Sequence, residues 1–207
     1  MSTKEIILVS DPMCSWSWGF APVVTQLQEH FSDTYKISVV MGGLRTKGQM
    51  PWDEESRAFL KQTWQEVAYK TGQPFQESLL QKEHFEYDTY PASKAVVTVR
   101  EILGDEAALR YLYTLQEAFY KDGIDITKPR LLFGYYERLF GNSSKFAFMY
   151  ATERIETLFE HDRAKARSMG ATAFPSVVLI DESGHMVCKK GYCTFDELKL
   201  FLKETDA

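Results

Sequence analysis

Several things are scarce in this chain, and each shortage removes a class of protein. Cysteine occurs three times in 207 residues, an odd number at low density, which excludes a disulfide-stapled scaffold and turns attention to thiol reactivity. Twelve glycines and seven prolines are too few for collagen or a low-complexity linker. Positive charge is not in excess: 24 Lys and Arg against 29 Asp and Glu leave a net charge of −5. The basic footprint that displaces counterions from nucleic acid is therefore missing, and nucleic acid is not an expected partner. No apolar run approaches the roughly eighteen residues of a membrane-spanning helix, so no membrane is expected either. The stretch from Met1 to Ser10 holds four consecutive apolar residues, Ile6 to Val9, whereas a secretory signal carries about seven to fifteen; a cytoplasmic location is expected. Four histidines, His30, His84, His161 and His185, are scattered without ligand spacing, and no metal is expected.

What is present is enough for a folded core. Hydrophobic residues make up 44% of the chain, aromatics 14% and charged residues 26%, a balance that offsets chain entropy. The length suits one domain, or one domain carrying another.

Along the chain, Ile6 to Val9 reads as a strand buried on both faces. From Pro22 onward, Val24, Leu27 and Phe31 recur at helical steps, and Lys36 to Met41 is β-branched enough for a second strand before Gly42 and Gly43. Two strands joined by one helix make a parallel βαβ unit. Helices fill the middle. Asp53 caps one that ends at Gly72; others are expected over 91–103, 106–120, 131–140, about 145–159 and 162–169, closing at Gly170. Ser176 to Ile180 then reads as a strand, Asp181 to Gly184 as a turn, and His185 to Lys189 as the second arm of a hairpin. Thr194-Phe-Asp-Glu197 is a capping box that opens the last helix. The order βαβ, helical block, ββα predicts a mixed α/β thioredoxin fold. Its thioredoxin-like part is expected over 1–50 and 170–207, and a large inserted all-helical domain over 51–169.

The chemistry candidate lies in Ser10-Asp-Pro-Met-Cys14-Ser-Trp-Ser17-Trp-Gly-Phe20. Cys14 falls between a buried strand and a helix, where free N–H groups and the helix dipole favour a thiolate, so a lowered pKa and a nucleophilic role are expected. A buried structural cysteine is the plainer alternative. The flanking Asp11, Pro12, Ser15 and Ser17 belong to a loop, not a core stripe, and favour reactivity.

This motif, together with Ala173-Phe-Pro175-Ser-Val-Val-Leu-Ile180, Gly42-Gly-Leu-Arg45 and Tyr87-Asp-Thr-Tyr-Pro-Ala92, resembles the DsbA family of thioredoxin-fold disulfide oxidoreductases over nearly the whole chain. The likeness is greatest to its FrnE-like and 2-hydroxychromene-2-carboxylate isomerase-like branch. The resemblance implies a cis proline at Pro175 beside the active cysteine. A proline donates no N–H, which leaves the Phe174 backbone free to pair with an extended substrate. It also implies where the chain departs from dithiol members. Ser17 stands where they carry the second cysteine of Cys-x-x-Cys, so another thiol, most simply glutathione, must resolve a mixed disulfide on Cys14. Ser17 could instead donate a hydrogen bond to the Cys14 thiolate.

The remaining candidates are binding residues. Trp16, Trp18 and Phe20 are expected to cluster with Phe174, Trp18 and Phe20 as core and Trp16 at the surface as an apolar lip. Thr89 is expected either to contact substrate or to cap a helix. Cys188 reads as core. Cys193 is an alternative resolving thiol, which a peptide map showing no Cys14–Cys193 linkage under mild oxidation would exclude. Asp162 to Arg167 reads as a solvated helix face.

The leading expectation is thus a disulfide oxidoreductase or isomerase using Cys14, with no tightly bound cofactor and glutathione as co-substrate. A glutathione-dependent isomerase or kappa-type transferase is the runner-up. There the nucleophile belongs to the cofactor and a hydroxyl suffices at position 14, so the cysteine argues against it. A non-catalytic peptide-binding module is the third.

Overall fold

In the computed structural model, residues 4–48 and 50–205 are described. The elements run β1 (Glu5–Ser10), α1 (Ser15–Phe31), β2 (Lys36–Met41), α2 (Glu54–Thr71), a short 3-10 helix (Glu77–Gln81), α3 (Tyr90–Leu103), α4 (Asp105–Tyr120), α5 (Pro129–Phe140), α6 (Ser144–Tyr150), α7 (Glu153–Ser168), β3 (Ser176–Ile180), β4 (Met186–Lys190) and α8 (Phe195–Thr205). The first three residues of the N-terminal stretch, Gln49 in the segment assigned to 1–50, and residues 206–207 lie outside the described residues. No helix among the described residues is long and apolar enough to cross a membrane.

The four strands are ordered β2-β1-β3-β4. β1 and β2 are parallel, with Leu8 opposite Val39, while β3 is antiparallel to both β1 and β4. This is the thioredoxin fold. Side-chain alternation splits the sheet between two cores. Ile6, Leu8, Val39, Val177 and Leu179 face a large cluster shared with α1, the middle helices and α8. Ile7, Val9, Val40 and Val178 face a smaller one closed by Ala166, Met169 and Ala171. Because β1 is buried on both sides, its sequence is continuously apolar instead of alternating.

Helix ends follow local chemistry. The Asp53 carboxylate accepts from the Ser56 N–H at 2.8 Å at the start of α2, and Gly72, at φ +75°, closes that helix in the left-handed conformation. Three expectations need correction. α1 starts at Ser15, seven residues before Pro22, which lies inside it. A proline there leaves the carbonyl four residues back without its N–H partner. That carbonyl belongs to Trp18, and the Gln73 amide donates to it at 3.1 Å. Between α6 and α7 the break falls at Thr152 and not after Phe159. Thr152 adopts extended backbone geometry, and its hydroxyl satisfies the Met149 carbonyl at 2.7 Å.

The third correction is Asp162, which is buried and not on a solvated face. It forms a two-pronged ion pair with Arg100 of α3 at 2.7 and 2.8 Å and accepts from the Met41 N–H at 2.9 Å. Arg100 in turn donates to the Val39 carbonyl, and the Asp105 carboxylate accepts from the Val39 N–H at 3.0 Å. β2 is an edge strand whose outer backbone groups would otherwise be unpaired. Side chains from the helical segment complete them.

Candidate active site

The site forms where β1 runs into α1. Cys14 is the N-cap residue of α1, with extended backbone (φ −92°, ψ 115°) and no side-chain cap bond. Its N–H donates to the Asp11 carbonyl at 3.2 Å. The side chain is 5% exposed, and its Sγ donates to the Phe174 carbonyl at 3.4 Å. The Phe174–Pro175 peptide bond is cis, and the Pro175 carbonyl accepts from the Gly191 N–H at 2.8 Å. Residues 14 and 174, far apart in sequence, therefore meet through the cysteine sulfur.

The expected lowering of the Cys14 pKa is not what this environment produces. Burial pushes the thiol up to about 11, because a thiolate there loses its hydration. The Ser17 hydroxyl and N–H and the Trp16 N–H pull the other way, while the charge of Asp11 raises it further. Ser17 is buried, and its Oγ makes no hydrogen bond in the resting geometry.

Asp11, expected only as part of a loop, anchors the site. It is fully buried. One carboxylate oxygen accepts from the Met13 N–H at 2.8 Å, a turn in which an aspartate bonds two residues ahead. The other accepts from the Leu44 N–H at 2.7 Å and the Ser93 hydroxyl at 3.4 Å. Burial raises its pKa, and these donors oppose the rise. Asp11 thus ties the cysteine loop to the loop after β2 and to α3. An aspartate directly after a buried strand was the available signal.

Thr89 faces inward. It is fully buried; its Oγ1 accepts from the Arg45 N–H at 3.2 Å, and it also supports the Asp11 carboxylate. Tyr87 donates to the Met13 carbonyl at 2.5 Å. The Tyr87 to Thr89 stretch therefore braces the cysteine loop from behind, and the Asp88 carboxylate, accepting from the Tyr90 N–H at 2.9 Å, takes the capping role.

Trp18 and Phe20 are core, as expected, but Phe174 does not join them. Trp18 is buried against Tyr113 and Tyr120. Phe174 joins the smaller core, with its ring over Gly42, where an added Cβ would fall 2.0 Å from the ring. The glycine there provides room for Phe174. Trp16 is half-buried and packs on Tyr192, ring centroids 5.9 Å apart. The exposed Lys70 ammonium sits 5.6 Å from the Trp16 ring and 5.5 Å from Tyr192. Tyr192 and Lys70 have no motif of their own, and only packing brings them to Trp16. All three cysteines are free thiols; Cys193 is buried in the main core, and Cys188 lies at the smaller one.

Residues 8–196 match a family model described as Thioredoxin. The chain belongs to the thioredoxin family. Solved structures share its fold. A Nitrosomonas europaea structure, provisionally described as a protein disulfide isomerase, is 27% identical and superposes with a TM-score of 0.88, covering 98% of this chain and 97% of that one. The cytosolic disulfide reductase DsbM from Pseudomonas aeruginosa, at 22% identity and TM-score 0.78, covers 97% and 98%, and a second DsbM structure contains GSH. Among curated proteins, the ClpXP adapter protein SpxH of Halalkalibacterium halodurans is 21% identical over 188 residues, 87% of this chain. The chain spans 61% of the length of that relative.

Proposed function

We propose that the protein is a cytoplasmic thiol–disulfide oxidoreductase or isomerase working through the single thiol of Cys14, with glutathione as the resolving thiol. The observation that carries this reading is the contact of the Cys14 sulfur with the carbonyl preceding the cis proline, at the N-cap of α1, with a serine where a second thiol would stand. In the forward step the Cys14 thiolate attacks one sulfur of a substrate disulfide. A mixed disulfide forms, the second substrate sulfur leaves as a thiolate, and it takes a proton from solvent. Ser17 has no sulfur with which to expel the first. A glutathione thiolate attacks the substrate sulfur of the mixed disulfide and returns Cys14 as a thiolate, which the Ser17 and Trp16 donors stabilise. Glutathione carries two carboxylates, and the Trp16–Tyr192 wall under the Lys70 ammonium suits an anionic peptide. DsbM, described as a cytosolic reductase and solved with GSH, supports the same choice of thiol and compartment.

The test is glutathione-dependent reduction of a small mixed disulfide, coupled to glutathione reductase, by the protein, by Cys14→Ser and by Ser17→Cys. The proposal expects activity in the unaltered protein and none in Cys14→Ser. Activity in Ser17→Cys alone would mean a disabled dithiol site. Silence in all three would favour the second reading, a non-catalytic peptide-binding module. Two observations speak for that second reading: the thiol is buried and held protonated, and the curated relative is described as an adapter. It expects Trp16→Ala to weaken peptide binding while Cys14→Ser leaves it unchanged.

A further inference from the structure

The two outer edges of the sheet differ. The free edge of β2 is completed by Arg100, Asp105 and Asp162. β4, at the opposite edge, has no such cover. At the two ends of its ladder with β3, the Gly191 N–H donates to the Pro175 carbonyl and the Asp181 N–H to the His185 carbonyl. By the alternation of an antiparallel pair, Val187 and Lys189 then turn their backbone groups toward β3. Met186, Cys188 and Lys190 turn theirs outward: three N–H groups and three carbonyls in one row, none of them bonded to a described residue. The strand carries no proline and no bulge, and it is only partly buried. Such a row is a template for another strand.

Position and charge identify its occupant. The end of β4 is one hydrogen bond from the cis proline, since the Gly191 N–H meets the Pro175 carbonyl at 2.8 Å. The next residue, Tyr192, packs on Trp16 with ring centroids 5.9 Å apart. In a chain of net charge −5, this end of the edge is basic. Lys189 and Lys190 lie on it, and neither makes an ion pair among the described residues. The Glu197 carboxylate feels the charge of Lys189 but is engaged by the Thr194 N–H and hydroxyl at 2.7 and 3.1 Å. The same lysines argue against a second copy of the chain, because two β4 edges side by side would gather four ammonium groups, two from each.

We propose that the outer edge of β4 takes an extended, acidic segment of a protein substrate as an added strand and leads it toward the Trp16–Tyr192 wall beside Cys14. The backbone of the segment pairs with Met186, Cys188 and Lys190, and its carboxylates lie at the Lys189 and Lys190 end. Main-chain bonds supply affinity with little regard to sequence, while the lysines select acidic segments. The inference deepens the proposed function by naming a substrate class. It rests on that reading for the substrate's disulfide alone, because strand addition needs no thiol.

The probe is a cysteine-free peptide, Glu-Asp-Val-Thr-Val-Thr-Val with a fluorescein label, followed by fluorescence anisotropy. Saturable binding is expected. Alternate amides of a strand face opposite edges, so N-methylation of one alternate set should weaken binding by more than about tenfold and N-methylation of the other set should not. Lys189→Glu and Lys190→Glu should each weaken binding about two- to fivefold. Should either variant fail to fold, a probe with both acids replaced by lysine reads the same charge preference on the unaltered protein. No saturable binding overturns the docking edge. An equal response to the two methylated probes overturns strand addition, and indifference to the charge reversals overturns the acidic occupant. A dimer in sedimentation equilibrium that the probe dissociates would make a second copy the occupant and overturn the proposal. Failure of the proposed function is read separately: Cys14 is then silent in the glutathione-coupled assay while anisotropy still reports the edge.

Discussion

At Cys14 two effects oppose each other. The helix N-terminus and the Ser17 donors favour a thiolate, and burial disfavours it; burial prevails, with the thiol pushed up to about 11. Alkylation of Cys14 should therefore rise roughly tenfold per pH unit from neutrality upward and level off only near pH 11, since only the thiolate reacts. A plateau below pH 8 would show that the N-terminal field prevails instead. The same shift bears on stability. A thiol whose folded pKa lies above its unfolded value of about 8.5 contributes stability below pH 8.5 and loses it as the pH rises toward 11. Chemical denaturation of Cys14→Ala should accordingly show a flatter loss of stability over that interval than the unaltered protein. At the neighbouring wall, Lys70→Ala removes the cation over Trp16 and Tyr192. It is expected to raise the KM for glutathione several-fold with little change in kcat, read in the coupled assay at low ionic strength; an unchanged KM would place the carboxylates elsewhere.

The elements that hold the site depend on one another through backbone groups. Residues Val39 and Met41 of β2 rely on Asp105, Asp162 and Arg100 for partners that no further strand supplies. Removing one member of a buried ion pair leaves the other charge uncompensated, at a cost of about 3 kcal/mol. Arg100→Ala should lower the unfolding free energy by about that amount in denaturant titration, and Asp162→Asn by less because the amide still accepts from Met41. A loss under about 0.5 kcal/mol for Arg100→Ala would show that water replaces the guanidinium. Directly after Met41, Gly42 admits the Phe174 ring. The residue whose carbonyl meets the Cys14 sulfur is thus seated by a missing side chain on a different element.

Over the whole molecule, the helical segment and the sheet share one hydrophobic cluster, which includes Leu8 and Leu198 with Trp64, Tyr111 and Phe146. A shared core couples the stability of its two sides. Unfolding followed by far-ultraviolet circular dichroism, dominated by helices, should coincide with unfolding followed by tryptophan fluorescence, which includes Trp18 in α1 and Trp64 in α2. Separate midpoints would mean that the inserted helices fold independently.

Much of this was legible in the chain itself, because it depends on local chemistry. The unbroken apolar run in β1, the Asp53 cap with the Gly72 stop, and the Thr194–Glu197 box each state their conformation within a few residues, and the order of elements then implies the thioredoxin sheet. Cys14 and its cis-proline partner were readable by resemblance, since both lie in short motifs. What needed the tertiary structure was every property set by residues distant in sequence. Whether Cys14 is acidic depends on burial; Thr89 turned inward because Asp11 requires donors; Tyr192 and Lys70 reached Trp16 only through packing. Asp162 looked solvated because a helix sequence shows its charge but not the edge strand it completes. Local spacing determines which backbone conformations are cheap, whereas desolvation and ion pairing depend on what the rest of the chain places within a few ångströms.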